Sequence, residues 1–407
     1  MPADPSRPAS RTGPPLGVLA ALFFATLALR PQLVGIGPLV PTIQADLGVT
    51  HAEAGLLSTI PVLLMGLFAP LGPWVAGLVG PRRAVALCLA AIVGFGLARA
   101  VVPGPLPVIG MTVGIGIGMG TAGALLPIVV KLRAAHVPAL ATGAYAAGIV
   151  AGSFAAAAVA VPIALALDGW RATLVAFAAA AAVSLGAWLL LLPADPPESR
   201  STGRPPRLPW GDVTAWVLVG VFGIQSLLYY SAVSWLPAVY VERGWTEASA
   251  GGLVAVMHLV GLLTGVGLPL LADRIGSRRS QLVTVSTVTL VSFAGLALVP
   301  DGAWLWAALL GLGLGAVFPL VLTLPVDVAD GAASVGATAA LMLLGGYVLS
   351  SVGPVGLGIL RDATGAYSIS LWLLVGLAAV LVASCLALSP ARLRRGVGRR
   401  EAAAGEA

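Results

Sequence analysis

The chain has 407 residues, of which 58% are hydrophobic and 9% are charged, whereas roughly a quarter of the residues in a soluble domain are charged. So few polar side chains cannot coat a globule of this size, which excludes a soluble fold and indicates a membrane protein. The formal net charge of +6 does not indicate nucleic-acid binding, because the basic residues fall in short clusters between apolar segments.

Apolar segments follow one another along almost the whole chain. About 20 apolar residues are needed for a helix to cross a bilayer core of ~30 Å. Long apolar runs in which apolar and polar residues do not alternate are typical of membrane helices rather than of barrel strands. The sequence therefore predicts an all-α membrane protein with twelve transmembrane helices, at 17–44, 53–76, 84–102, 107–130, 139–165, 172–192, 213–239, 249–271, 281–299, 303–325, 335–359 and 368–389.

One long polar connection divides these spans into two sets of six. It is rich in proline and charge over 194–212, which is typical of a linker. We therefore predict an N-terminal six-helix bundle at 17–193 and a C-terminal six-helix bundle at 213–390. Residues 1–16 and the basic residues 391–407 are predicted to be cytoplasmic tails.

The distribution of lysine and arginine predicts the orientation, since cytoplasmic loops are enriched in both. With the N-terminus inside, 17 of the 22 basic residues fall in cytoplasmic segments and three fall in outer loops. The remaining two, Arg30 and Arg99, lie within spans. This bias predicts that both termini are cytoplasmic and that the protein resides in the inner (plasma) membrane.

Arg30 is the most informative residue of the first half. It lies 13 residues beyond Gly17, which places it about 20 Å along the first span, near mid-depth. An arginine there costs ~2.5–3.5 kcal/mol on insertion scales, so it should face a wet cavity or an anion. A structural role, with the guanidinium satisfied by helix carbonyls beside Pro31, stays open. Arg99 is nearer a span end, and we expect it to extend to the membrane interface.

The two halves share residue spacing. Pro41, Gly48 and Gly55 match Pro237, Gly244 and Gly251 at one offset of 196 residues, and Arg82 and Arg83 match Arg278 and Arg279 at the same offset. Six spans per half means that the two halves insert with the same orientation. Such parallel repeats, which meet around a site near the midplane, are typical of transporters. The sequence therefore predicts two pseudo-symmetric bundles that expose a small solute to each side in turn.

Further candidate binding residues follow in the second half and in span 5. Span 7 has two pairs at helical spacing, Gln225 with Tyr229 and Ser226 with Tyr230, and Trp235 lies beyond them. Such groups suit a partly polar ligand site, although packing of aromatic rings between helices is an equal alternative. His258, near mid-depth of span 8, is a candidate proton carrier or ligand donor, and a hydrogen bond to a neighbouring helix is the alternative. The remaining candidates, at equivalent places in the two halves, are Tyr145 and Tyr347.

Several chemistries lack their usual residues. No carboxylate lies in the middle of a predicted span, so proton coupling would run through His258 or a protonated substrate. The run GIGIGMG from Gly114 lies inside an apolar helix, where close helix packing explains Gly116/Gly120 and Gly311/Gly315 better than nucleotide binding does. The chain shows none of the motifs of hydrolases, ATPases or metal sites. We expect no enzymatic activity, no cofactor and no metal.

The loop GLPLLADRIGSRR from Gly267 resembles the signature that follows the second helix of each bundle in the major facilitator superfamily. The resemblance implies a twelve-helix fold in which spans 1, 4, 7 and 10 line the substrate cavity. It also implies a cytoplasmic gate, formed here by Asp273, Arg274, Gly276, Arg278 and Arg279. The first-half copy keeps Arg82 and Arg83 but has Gly77 and Leu78 in place of the acidic and basic pair, which leaves its gate incomplete.

Finer features are similar to the cyanate/nitroimidazole (CynX/NimT) branch of that superfamily. They are LRP at 29–31, QSLLYYSAVSWLP from Gln225, GLGLGAVFPLVLTL from Gly311 and RDATG from Arg361. The resemblance implies transport of a small solute by a monomer in the bilayer. The planar donor fork of Arg30 favours a small anion, cyanate-like or a small carboxylate, and protons are the candidate coupling ion. Efflux of nitroimidazole-like aromatic compounds is the alternative.

Overall fold

A computed structural model describes residues 16–195, 207–272, 278–329 and 332–388. Within these ranges the chain is helical apart from short connections. The helices are α1 Leu16–Leu27, α2 Pro31–Val34, α3 Ile36–Leu47, α4 His51–Phe68, α5 Leu71–Val79, α6 Pro81–Val101, α7 Pro105–Arg133, α8 Pro138–Ala166, α9 Trp170–Leu191, α10 Val213–Glu242, α11 Glu247–Ala272, α12 Arg278–Leu298, a 3-10 turn Pro300–Gly302, α13 Ala303–Val328, α14 Ala332–Thr364 and α15 Ser368–Ala387.

Twelve helical segments of the described residues are long and apolar enough to cross a membrane. Helices α1 to α3 together form span 1, α4 and α5 form span 2, and α6 to α15 are spans 3 to 12. The predicted all-α architecture with twelve spans is confirmed. The tail 391–407, the residues 1–15 of the N-terminal tail and the linker residues 196–206 lie outside the described residues.

Span 1 is broken at the level of Arg30. Helix α1 ends at Leu27, α2 begins at Pro31 and α3 begins at Ile36. Pro31 has no N–H to continue the ladder of hydrogen bonds, so the ladder stops there even though Arg30 itself keeps a helical φ of −105° and ψ of −31°. An irregular backbone at membrane depth is tolerated only where protein or water covers it. Leu29, Leu33 and Val34 are all buried, so protein covers this break.

The packing partners of the spans repeat with a shift of six. Span 1 packs on span 5 as span 7 packs on span 11, and span 2 packs on span 4 as span 8 packs on span 10. Spans 3 and 6 pack together as spans 9 and 12 do. The bundles meet where span 2 packs on span 11 and where span 5 packs on span 8. The same shift of six turns the first of these contacts into the second. The predicted pseudo-symmetric bundles are therefore present.

Glycines bring these helices close. A Cβ on Gly116 would lie 2.7 Å from the backbone of Pro61, and one on Gly311 would lie 2.2 Å from the carbonyl oxygen of Met257. The packing role predicted for these residues is confirmed. Gly148 and Gly152 of span 5 do the same against span 1, where each Cβ would lie 2.3 Å from a carbonyl oxygen, of Phe23 and Leu27 respectively. This close contact supports span 1 beside its break.

Candidate functional site

Arg30 lies at the break of span 1 and points across to the other bundle. Its side chain is 9% exposed, and Nη1 donates a hydrogen bond of 3.0 Å to the hydroxyl of Tyr230 on span 7. The rings of Tyr229 and Tyr347 both pack against the ring of Tyr230. Because the Tyr230 oxygen accepts this bond, its own O–H remains a donor for a further acceptor.

The charge on Arg30 has neutral phenols for neighbours. The buried polar side chains of the described ranges include Arg30, Arg99 and His258 but no aspartate or glutamate. A buried cation without a carboxylate is costly, and an anion bound beside it would offset that cost. The arrangement therefore suits a negatively charged ligand.

Three tyrosines and a histidine from three spans form one aromatic cluster around Arg30. The ring centroids of Tyr229 and Tyr230 lie 5.0 Å apart, and those of Tyr230 and Tyr347 lie 6.4 Å apart. The hydroxyl of Tyr229 lies 2.8 Å from Nε2 of His258. The other ring nitrogen of His258, Nδ1, lies 2.7 Å from the carbonyl oxygen of Val254.

The second contact determines where the histidine carries its proton. A carbonyl oxygen only accepts, so Nδ1 of His258 is the donor to Val254. In the neutral ring Nε2 is then an acceptor, and the hydroxyl of Tyr229 donates to it. His258 thus donates a hydrogen bond to its own helix and accepts one from Tyr229 of span 7, which is the bond to a neighbouring helix that the alternative foresaw.

The remaining candidate residues lie at different distances from this cluster. Gln225 is buried on span 7 and its Oε1 accepts a hydrogen bond of 3.1 Å from Ser226. Tyr145 is half-buried on span 5, two helical turns before Ser153. Trp235 lies apart from the cluster: its Nε1 donates to the carbonyl oxygen of Pro354 at 2.7 Å, and its ring contacts His51 and Tyr367.

The position of Arg99 differs from the one predicted. We expected its side chain to extend to the membrane interface, but it is fully buried. Its Nη2 donates to the backbone oxygen of Gln32 at 2.9 Å and also contacts the side-chain oxygen of Gln32. A hydrophobicity profile places Arg99 near a span end, but it cannot show that the broken segment of span 1 packs over it. Gln32, which the sequence did not single out, is the residue that receives it.

The bundles are closed against each other at one end, which the charge distribution predicts to be the outer end. Asp362 of span 11 accepts hydrogen bonds from the backbone N–H groups of His51 and Ala52 at 3.1 and 2.8 Å, and from His51 Nδ1 at 2.7 Å. Deeper in, Thr59 donates to the carbonyl oxygen of Ser351 at 2.8 Å. The carboxylate of Asp362 thus caps the N-terminus of span 2 from the opposite bundle.

The residues of the predicted gate belong to the opposite, predicted inner end. Asp273, Arg274 and Gly276 lie outside the described residues. Arg279 donates to the backbone oxygen of Leu386, within its own bundle. In the first half Arg83 is exposed.

An acid that the sequence did not single out completes the first-half cluster. Asp195, just after span 6, accepts from the backbone N–H of Arg82 at 2.8 Å and pairs with Arg133 at 3.0 Å. Arg82 also donates to the carbonyl oxygen of Leu192 at 2.7 Å. Asp195 thus supplies the carboxylate that the degraded motif lacks at Gly77. Its only signal in the sequence was that it is the first acidic residue of the linker.

Two bundles of six spans related by a repeat, with a buried cation where they meet, define a polytopic membrane transporter. The Major Facilitator Superfamily model matches residues 18–354. The 2-nitroimidazole transporter of Escherichia coli is 32% identical over 87% of this chain and 90% of its own length. The cyanate transport protein CynX of Escherichia coli is 32% identical over 86% of this chain and 91% of its own length.

Solved structures agree on the fold. A D-xylose-proton symporter superposes with a TM-score of 0.74 at 17% identity, over 91% of this chain and 96% of its own. A bacterial homologue of the human lysosomal transporter Spinster superposes with a TM-score of 0.67 at 16% identity, over 91% of this chain and 94% of its own. The chain belongs to the Major Facilitator Superfamily, and it is a membrane transporter rather than an enzyme. The similarity to the cyanate/nitroimidazole branch is confirmed.

Proposed function

We propose that this protein moves a small monoanion, cyanate-like or a small carboxylate, across the inner membrane by alternating access. The observation that supports this most directly is Arg30, a buried guanidinium bonded to a phenol and without a buried carboxylate among the described residues. The guanidinium offers a planar fork to a small oxyanion or carboxylate. The name of one relative, a cyanate transport protein, points to the same class of substrate.

The residues around Arg30 take supporting roles in this proposal. The hydroxyl groups of Tyr230 and Tyr347 donate hydrogen bonds to the bound anion, and Tyr229 and Gln225 complete the polar wall. Tyr145 lines the path towards the predicted inner end. Trp235 closes the site on the outer side, because it is bonded to span 11 next to the contact between His51 and Asp362.

Closure at the predicted outer end supports the alternating part of the proposal. The bonds from Asp362 to span 2 join the bundles there, and the arginine clusters at the other end, with Asp273 and Arg274, form the gate that closes when the outer end opens. We expect a monomer with both termini in the cytoplasm.

A thermal-shift screen of the purified protein tests the substrate class. A ligand at 100 times its Kd stabilises the folded state by about 2.7 kcal/mol. We expect sodium cyanate or acetate to raise the Tm of the wild type but not that of Arg30→Met, with sodium chloride as the control for ionic strength. Stabilisation of both proteins by 2-nitroimidazole, and of neither by an anion, would contradict the proposal.

The second candidate function is efflux of nitroimidazole-like aromatic compounds, and it predicts the contrary result of this screen. The observations in its favour are the ring cluster of Tyr229, Tyr230 and Tyr347 and the relative named as a 2-nitroimidazole transporter. Offset and edge-on ring contacts of this kind also stabilise an aromatic ligand. Under this function Arg30 is structural.

Protons are the proposed coupling ion, with His258 as their carrier. His258 is bonded to Tyr229 of the aromatic cluster around Arg30, so a proton on its ring and an anion at Arg30 would cross the membrane together. Carrying one proton with one monoanion is electroneutral, so a gradient of one pH unit drives accumulation of about tenfold.

The variant His258→Gln should abolish this accumulation in proteoliposomes, because glutamine accepts the bond from Tyr229 but does not titrate. Exchange of labelled for unlabelled anion should persist, since it requires no net proton movement. His136→Gln, in the exposed connection before span 5, is the matched control. Tenfold accumulation by His258→Gln would show that the proton takes another route.

A further inference from the structure

Arg99 and Gln32 form a buried network behind the segment that presents Arg30. Arg99 on span 3 reaches both oxygens of Gln32 in α2, through its Nη2. Gln32 in turn donates from Nε2 to the carbonyl oxygen of Leu174 on span 6 at 3.2 Å. The two residues thus tie the short helix α2, which follows Arg30 directly, to two other helices of its bundle.

The surroundings of Gln32 are shaped to admit it. A Cβ on Gly96, one turn before Arg99 on span 3, would lie 2.6 Å from Nε2 of Gln32. A Cβ on Gly35, at the end of α2, would lie 2.3 Å from the ring of Phe177 on span 6. Both glycines therefore allow the broken segment to pack directly on spans 3 and 6.

The network is poorly suited to stabilising the fold. Nε and Nη1 of Arg99 are buried without a hydrogen-bond partner among the described residues. A buried charge with unfilled donors costs free energy, and replacing such a group and its partner by apolar residues of similar size is often neutral or stabilising. A buried group that destabilises the fold and lies next to a proposed binding residue indicates a functional role.

We propose that Arg99 and Gln32 are positioning residues, which hold the broken segment 28–35 so that the guanidinium of Arg30 faces the opposite bundle. The role of this network in transport rests on the proposed function, in which Arg30 binds the anion. Its role in holding the segment does not, because it follows from the contacts of Gln32 alone. The two can therefore be tested separately.

Two variants loosen the segment in different ways. The double variant Gln32→Leu with Arg99→Met removes both polar partners and leaves no buried charge at the network itself, so the protein should fold with an unchanged or higher Tm. Gly96→Ala keeps every polar group but displaces the amide of Gln32. Gly94→Ala is the matched control, because a Cβ there has nothing within 4 Å.

Hydrogen–deuterium exchange measures the segment without any substrate. We expect the amides of 33–35, which close α2, to exchange about tenfold faster in the double variant and in Gly96→Ala. Cyanate uptake by the same proteins should show a KM raised about tenfold with a maximum rate within about twofold of the wild type. Gly94→Ala should match the wild type in both measurements.

Unchanged exchange in both variants would overturn the positioning role, whatever the substrate is. A cyanate KM within about twofold of the wild type, despite faster exchange, would overturn its link to binding. If the wild type itself takes up no cyanate or acetate, the proposed function fails. The exchange measurement then still decides whether Arg99 and Gln32 hold the segment.

Discussion

Replacing Arg30 by lysine is expected to lower the ratio of maximum rate to KM for anion uptake roughly thirtyfold. This is the effect of about 2 kcal/mol of lost binding free energy. The ammonium of lysine keeps the charge but loses the planar fork, so while reaching Tyr230 it can neither bind a carboxylate through two parallel hydrogen bonds nor direct two fixed N–H groups at one end of the linear cyanate ion. Uptake of labelled anion into proteoliposomes, over a range of concentrations, measures the loss.

A matched substitution separates this effect from a general loss of arginine. Arg243 is exposed in the connection after span 7, where its guanidinium lies 4.9 Å from the ring centre of Tyr240. Arg243→Lys should transport like the wild type. Near-normal uptake by Arg30→Lys, with an unchanged Tm, would assign Arg30 to the structural role and shift the balance towards an uncharged aromatic substrate.

The fold could be predicted in outline because two of its causes are local. Hydrophobic length defines a span whatever surrounds it, and the spacing shared by Pro41 and Pro237 records the relation between the halves. The ends of the spans were less accurate. The second was predicted at 53–76, but its helix ends at Phe68 and resumes over Leu71–Val79.

The site was only partly predictable, because its remaining features depend on contacts between distant segments. Arg30 could be identified as a candidate binding residue from the sequence alone, because of its depth in the span and the free-energy cost of an arginine in lipid. The spacing of Ser226 and Tyr230 placed both on one face of span 7, but it did not show that Tyr230 would be the one to meet Arg30, since spacing along one helix does not identify the contacts of that face. Arg99 was misplaced for the same reason: depth along a helix says nothing about which face another helix covers.

Asp195 shows a third limit. The first-half motif lacks its acid in sequence, yet the structure brings the carboxylate of Asp195 to the backbone N–H of Arg82 and to the guanidinium of Arg133, which lie 113 and 62 positions earlier in the chain. Motif comparison follows aligned positions, whereas electrostatics requires only that a charge be near. A degraded motif is therefore weak grounds for predicting a lost ion pair.

Closure of the predicted outer end depends on contact between the backbones of spans 2 and 11. A Cβ on Gly358 would lie 2.3 Å from the carbonyl oxygen of His51 and 2.9 Å from the Cα of Ala52. These atoms belong to the backbone and cannot rotate away as a side chain can. Overpacking at such a contact costs typically 1–3 kcal/mol, and here that cost falls on the closed state alone.

Gly358→Ala is therefore expected to lower net uptake by up to about a hundredfold by depopulating the state with a closed outer end. Anion binding, measured by thermal shift, should persist because Arg30 is untouched. Gly356→Ala on the same helix is the matched control, since its Cβ meets only a side-chain atom of Val352 at 3.8 Å.

Opening can be measured directly with Ala52→Cys and a membrane-impermeant maleimide, because the native Cys88 and Cys385 are buried. The added Gly358→Ala substitution should speed labelling of this cysteine in intact cells, because the span 11 backbone can no longer cover it. Slow labelling together with normal uptake would show that spans 2 and 11 tolerate the added methyl group. Since the reagent acts only from outside, labelling in the double variant also tests the predicted orientation of this end of the bundles.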